Sequence, residues 1–86
     1  MNKKDKLLER FCRMPKDFTF DEIETLFRDK GFHISNKGTT SGSRIEFRNE
    51  EKGLSYIMHK PHPSNIIKGY VMKQVMTFFK VNNLLK

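Results

Sequence analysis

The chain has 86 residues, of which 36% are hydrophobic, which is enough for one modest core in a single domain spanning residues 1–86. Its apolar clusters are far shorter than the ~18 residues of a membrane span, and its charged beginning is unlike a signal peptide. Cys12 is the only cysteine, which excludes an internal disulfide, so we expect a cytoplasmic protein with no membrane contact.

The net charge of +7 is distributed unevenly. No Asp or Glu follows Glu51, and the last 35 residues contain six lysines and carry +6 of that charge. A field of one sign attracts a polyanion, and the attraction weakens with salt. This favours a nucleic acid as the partner, and the alternative is a lysine-rich surface that serves solubility only.

The first half of the chain predicts two helices. Residues 3–14 form an amphipathic helix that ends before Pro15. For the second helix, Thr19 is the expected N-cap and Glu22 completes a capping box, while Phe18 and Ile23 form the matching hydrophobic staple. Gly31 supplies the left-handed exit from that helix.

The second half predicts three strands and a last helix. Alternating side chains indicate strands over residues 32–35, 43–49 and 54–59, and apolar residues at helical spacing indicate a helix over 68–81. This order is typical of an α+β fold, in which a three-stranded antiparallel sheet carries helices packed on one face.

The turn at residues 50–53 determines a register for the second and third strands. If Asn49 and Leu54 close the hairpin, every inward apolar residue meets an inward partner, whereas a slip of one residue would expose the apolar set. Arg44 then lies opposite His59 on the outer face.

Three stretches together resemble the HicA family of bacterial toxins, also called YcfA-like proteins. They are LFRDKGFHI, GSRIEF and HPSNIIKGYVMKQV. The likeness runs from about Asp21 to Phe79, and we assign residues 19–80 to the HicA-like core. It implies a fold like that of double-stranded-RNA-binding domains (α-β-β-β-α), here with an extra N-terminal helix. It also implies an endoribonuclease that cleaves mRNA as the toxin of a toxin–antitoxin system, neutralised by a HicB-like antitoxin protein.

Several positions match the family's motifs. Gly31 matches the turn after the first family helix, His62 and Pro63 match the His-Pro before the last helix, and Gly69 matches the glycine that opens that helix.

The family's Gly-Ser-His motif is matched only in part, at Gly42 and Ser43. Arg44 stands where the family keeps its catalytic histidine, and an arginine in a protein does not give up its proton. Arginine can still hold a phosphate through two parallel hydrogen bonds. Because the register places His59 opposite Arg44, our hypothesis makes His59 the general base or acid and Arg44 the phosphate clamp.

His62 is the second candidate catalytic histidine, and the alternative is that it fixes the turn or caps the last helix. His59, for its part, could simply end its strand. Two histidines without a third and fourth partner do not make a zinc site, so we expect no metal and no cofactor.

We assign the RNA contacts to Lys60, Lys68 and Lys73, where Lys60 or Lys68 supplies the supporting charge, and to Ser43. The alternative for Lys73 is that it only belongs to a solvent-exposed face of the helix and contacts no RNA. Ser43 has no acid–base partners in the sequence that would make it a nucleophile.

The last helix has two adjacent apolar stripes. Val71, Val75 and Phe78 are predicted to face the sheet. Beside them, Met72, Met76 and Phe79 have two interpretations: they belong to one broad core-facing stripe, or they form the contact surface for the antitoxin, since Met-rich faces suit protein partners.

The leading functional hypothesis is therefore a metal-independent, HicA-type endoribonuclease. One alternative is a module of the same fold that binds RNA without cutting it, because the family's histidine is missing. A protein-interaction domain is another. Salt-dependent RNA binding would separate the first two from the third, and loss of cleavage in His59→Ala would separate catalysis from binding.

Overall fold

The structure is a computed structural model, and it describes residues 3–35, 44–61 and 63–85. The elements in chain order are α1 (Lys3–Cys12), α2 (Phe20–Asp29), β1 (His33–Ser35), β2 (Arg44–Asn49), β3 (Leu54–His59) and α3 (Gly69–Val81). The strands form one antiparallel sheet in the order β1-β2-β3, so the fold is α+β as predicted. None of the described helices is long and apolar enough to cross a membrane.

Helix α1 ends at Cys12, two residues earlier than predicted. The chain leaves the helix through a turn in which the Met14 N–H bonds to the Phe11 carbonyl at 2.9 Å, and Met14 itself has a φ of 54°. The chain is therefore redirected one residue before Pro15.

Helix α2 begins and ends as the sequence predicts. The Thr19 hydroxyl accepts a bond from the Glu22 N–H at 3.2 Å, and the Glu22 carboxylate accepts one from the Thr19 N–H at 3.0 Å. Phe18 and Ile23, the predicted staple, are both fully buried. At the other end Gly31 adopts a φ of +89°, which the left-handed exit requires.

The hairpin of β2 and β3 has the predicted register. Asn49 pairs with Leu54, and Arg44 pairs with His59 at the opposite end. Strand β3 is bonded to β2 on one side and lies at the edge of the sheet. Residues 36–43, which include Ser43 of the predicted second strand, lie outside the described residues.

The core lies between the sheet and the helices, with Phe27 of α2 at its centre. The Phe27 ring stacks on Phe47 of β2 with centroids 4.3 Å apart and lies 5.2 Å from Phe79 of α3. Both helices therefore pack on the same face of the sheet. Helix α1 joins them through Phe11, whose ring is 5.5 Å from that of Phe79.

The prediction that Met72, Met76 and Phe79 form an antitoxin contact surface is wrong for Met72 and Phe79. Met72 and Phe79 are buried in the core, together with Val75, and Met76 is only partly exposed. Residues 72, 75 and 79 are spaced by three and four, so they form the central line of one helical face. Val71 and Phe78 flank that line and are partly buried. The α3 residues thus form one broad core-facing stripe, the other interpretation that the pattern allowed.

Candidate nucleic-acid interface

Arg44 and His59 form a cross-strand pair at the end of the β2–β3 hairpin. Both side chains are exposed, and directly opposite residues of an antiparallel pair have Cβ atoms about 5 Å apart. None of the described carboxylates forms an ion pair with Arg44. Glu46, on the same strand, is bonded to Arg48 at 3.4 Å. The guanidinium and the imidazole can therefore meet a ligand from the outer side of the sheet.

A cleft of about 480 Å³ lies beside this pair, and we call it the β3–α3 cleft. Its walls are β3, the described residues between β3 and α3, and the first turns of α3, and His59 is one of its lining residues. Lys60 and Lys68 also line it, and no carboxylate is found among the described lining residues. The cleft therefore favours a ligand that carries negative charge.

The segment that follows β3 is attached to the start of α2 by backbone hydrogen bonds. The Phe20 N–H donates to the Asn65 carbonyl, and the Ile67 N–H donates to the Phe18 carbonyl, both at 2.8 Å. The Lys60 ammonium lies 5.5 Å from the centre of the Phe20 ring, a cation–π distance. These contacts hold one wall of the cleft in place while Lys60 itself stays exposed.

Tyr56 lines the inner side of the same cleft. Its burial raises the pKa of the phenol above its usual value, so the hydroxyl stays protonated at neutral pH. Tyr56 thus adds no negative charge that would oppose an anionic ligand.

The structure brings some of the predicted site residues together and leaves others apart. His59, Lys60 and Lys68 share the cleft, and Arg44 lies next to it across the hairpin. Lys73 is exposed on α3 but is not part of the lining. Ser43 and His62 lie outside the described residues.

Three exposed apolar residues of the cleft were not predicted as site residues from the sequence, namely Ile57, Ile66 and Tyr70. Ile57 alternates with the inward residues of β3, so the strand pattern alone already places this large apolar side chain on the outer face. Tyr70 lies outside the buried stripe of α3, but no sequence signal brings it next to β3.

Within the described ranges, no group of three or more His, Cys, Asp or Glu side chains is arranged to hold a metal ion. His33 is bonded to Glu50 at 3.1 Å, on the strand at the far side of the sheet from His59. Comparisons of the chain with protein-family models, with curated proteins and with solved structures found no match. The resemblance to HicA toxins therefore depends on the three quoted stretches.

Proposed function

We propose that this protein binds RNA at the β3–α3 cleft and the adjoining Arg44–His59 pair, and that it cleaves mRNA as a metal-independent endoribonuclease. The observation that carries the proposal is the pairing of an exposed histidine with an exposed arginine beside a cleft with two lysines and no carboxylate among its described lining residues. This combination offers an imidazole that can accept a proton next to phosphate-binding cations.

In the proposed reaction, His59 removes the proton from a ribose 2′-hydroxyl. The 2′-oxygen attacks the adjacent phosphorus, and the bond from phosphorus to the 5′-oxygen breaks. The leaving oxygen takes a proton from water, and the hydroxide that remains takes the proton from His59, which restores the base. The products are a 2′,3′-cyclic phosphate and a 5′-hydroxyl. Arg44 holds the phosphate in two parallel hydrogen bonds, and Lys60 or Lys68 offsets the charge that accumulates in the transition state.

We further propose that the α+β fold is of the double-stranded-RNA-binding type and that the protein is a cytoplasmic toxin of the HicA type with a HicB-like antitoxin. Support comes from the three sequence stretches and from an element order, after α1, of helix, three strands and helix. Because most of the predicted antitoxin face of α3 is buried, such an antitoxin would have to contact a different surface.

A second candidate function is RNA binding without cleavage. The observation in its favour is Arg44, which cannot act as a base at the position where the family keeps its histidine.

Cleavage of a labelled mRNA in the presence of EDTA distinguishes these functions. The proteins to compare are the unaltered chain, His59→Ala and His62→Ala, with His33→Ala as the matched control, because His33 is an exposed histidine with a carboxylate partner elsewhere on the sheet. We expect cleavage by the unaltered chain and by His33→Ala, and none by His59→Ala, whose RNA affinity should be retained.

Cleavage that stops in EDTA, or that survives in His59→Ala, would contradict the proposed mechanism. Binding without cleavage by any form would favour the second candidate. No RNA binding at all would leave a protein-interaction domain.

A further inference from the structure

Exposed apolar side chains are concentrated at the β3–α3 cleft. The large hydrophobic residues exposed in the described part of the chain are Ile57, Ile66, Tyr70 and Val81, and all but Val81 line this cleft. Tyr70 is 62% exposed, Ile57 47% and Ile66 36%. Apolar groups gathered around one concavity are typical of a binding site for a ligand with an apolar part.

The charges around the cleft indicate the charge that such a ligand carries. Lys60 and Lys68 lie among its lining residues, and the described lining contains no acidic side chain. A ligand that suits this site combines a flat or apolar group with negative charge. A nucleotide does so, because its base stacks on aromatic and aliphatic side chains while its phosphate meets lysine ammonium groups.

The size of the cleft limits the form in which RNA can enter. A volume of about 480 Å³ lies in the usual range for small-molecule pockets, so it suits a single nucleotide and not a helix. In a duplex the bases are stacked and paired, and a protein reaches a base face only where the strand is open. The cleft therefore requires an unstacked base.

We infer that the β3–α3 cleft is a subsite for one unstacked base of single-stranded RNA, stacked on Tyr70 with its flanking phosphates on Lys60 and Lys68. This inference rests on the proposed function and narrows its substrate to single-stranded RNA. The base enters beside His59, so the ribose and phosphate next to it lie toward the Arg44–His59 pair.

The test is a binding titration in a His59→Ala background with EDTA, so that affinity is measured apart from cleavage. The probes are a short unstructured RNA that carries one 2-aminopurine and the same strand paired with its complement. Tyr70→Ala removes the stacking surface and Tyr70→Phe retains it. Val81→Ala is the matched control, because Val81 is exposed on the same helix but lies outside the cleft.

We expect the single strand to bind more tightly than the duplex, with quenching of the 2-aminopurine fluorescence. Tyr70→Ala should weaken binding roughly 5- to 150-fold, the range for loss of one base–aromatic stack, and should abolish the quenching. Tyr70→Phe and Val81→Ala should behave like the parent. Since Tyr70 is mostly exposed, Tyr70→Ala should keep the parent's circular dichroism spectrum and urea midpoint.

Equal or tighter binding of the duplex, or unchanged affinity in Tyr70→Ala, would overturn the inference and leave the cleft to a protein partner. The two proposals fail separately. Cleavage that does not depend on Tyr70 refutes the base subsite alone, whereas Tyr70-dependent binding by a chain that never cleaves refutes the catalytic proposal alone.

Discussion

Replacing Gly31 by alanine should destabilise the protein more than the same change at Gly53. Both glycines have a left-handed backbone, with φ of +89° and +65°. A Cβ at position 31 would lie 3.0 Å from Nδ2 of Asn49, whereas a Cβ at position 53 has no neighbour within 4 Å. Asn49 is 3% exposed, and it connects two segments, because its Nδ2 donates to the Lys30 carbonyl at 3.1 Å and its Oδ1 accepts from the Lys52 N–H at 3.0 Å.

The two changes share one cost and differ in another. An L-residue in the left-handed region costs about 1–2 kcal/mol, and this applies to both positions. The lower backbone entropy that alanine gives to the unfolded chain also applies to both. Only Gly31→Ala displaces the Asn49 amide, and a buried polar group that loses its partner costs a further ~1–3 kcal/mol. We therefore expect a loss of about 1 kcal/mol for Gly53→Ala and about 2–4 kcal/mol for Gly31→Ala.

Urea unfolding followed by circular dichroism measures these differences. A domain of this length has a total stability of roughly 4–13 kcal/mol, so Gly31→Ala should lower the midpoint clearly while leaving enough folded protein to measure. The double variant Gly31→Ala/Asn49→Ala should lose less than the sum of the single changes, because Asn49→Ala removes the atom that is crowded. Equal losses at Gly31 and Gly53, or strict additivity with Asn49, would refute the steric explanation.

Three further outcomes are expected. Thr19→Ala should cost about 1 kcal/mol in urea unfolding, because it removes the N-cap bond of α2. The hydrogen bond from Arg10 lowers the pKa of Glu22 below its usual value of 4.5. The stability that the ionised Glu22 contributes is therefore complete above pH 4.5 and is lost as the pH falls through the lowered pKa. In Glu22→Gln the urea midpoint should accordingly fall less on acidification than in the parent. Lys68→Ala should reduce the slope of log affinity for single-stranded RNA against log salt by about 0.7, whereas Lys16→Ala should not.

Thr25→Ala is the control for Thr19→Ala, because the Thr25 hydroxyl lies within α2 and bonds only to the Asp21 carbonyl among the described groups, so its loss should have little effect. An acid limb that is the same in Glu22→Gln as in the parent would mean that other carboxylates govern acid unfolding. A salt slope that changes equally in the Lys68 and Lys16 variants would indicate diffuse charge attraction without a localised site.

The elements that the sequence predicts well depend on contacts between near neighbours in the chain. The capping box joins Thr19 to Glu22 three residues later, and the exit at Gly31 is a property of one residue and its turn. The register that pairs Arg44 with His59 follows from a four-residue turn and the period of two along each strand. Such patterns are complete within a few residues, so no knowledge of the remaining chain is needed to recognise them.

Local patterns do not decide which of the two apolar stripes of α3 is buried. Both stripes have suitable residues, and the choice depends on how the helix rotates against partners that come from distant parts of the chain. Phe27 and Phe11 contact Phe79, which places the line of Met72 and Phe79 in the core. The predicted antitoxin contacts were wrong at those two residues for this reason.

By itself, the sequence determined the element order, the α+β class, the caps of α2, the hairpin register and the excess of positive charge in the second half. Only the tertiary structure decided which side of α3 is buried, and that β3, the described residues between β3 and α3, and the start of α3 enclose one cleft. The physical reason is that the distance between Ile57 on β3 and Tyr70 on α3 is set by the packing of both elements on the shared core and not by any local preference.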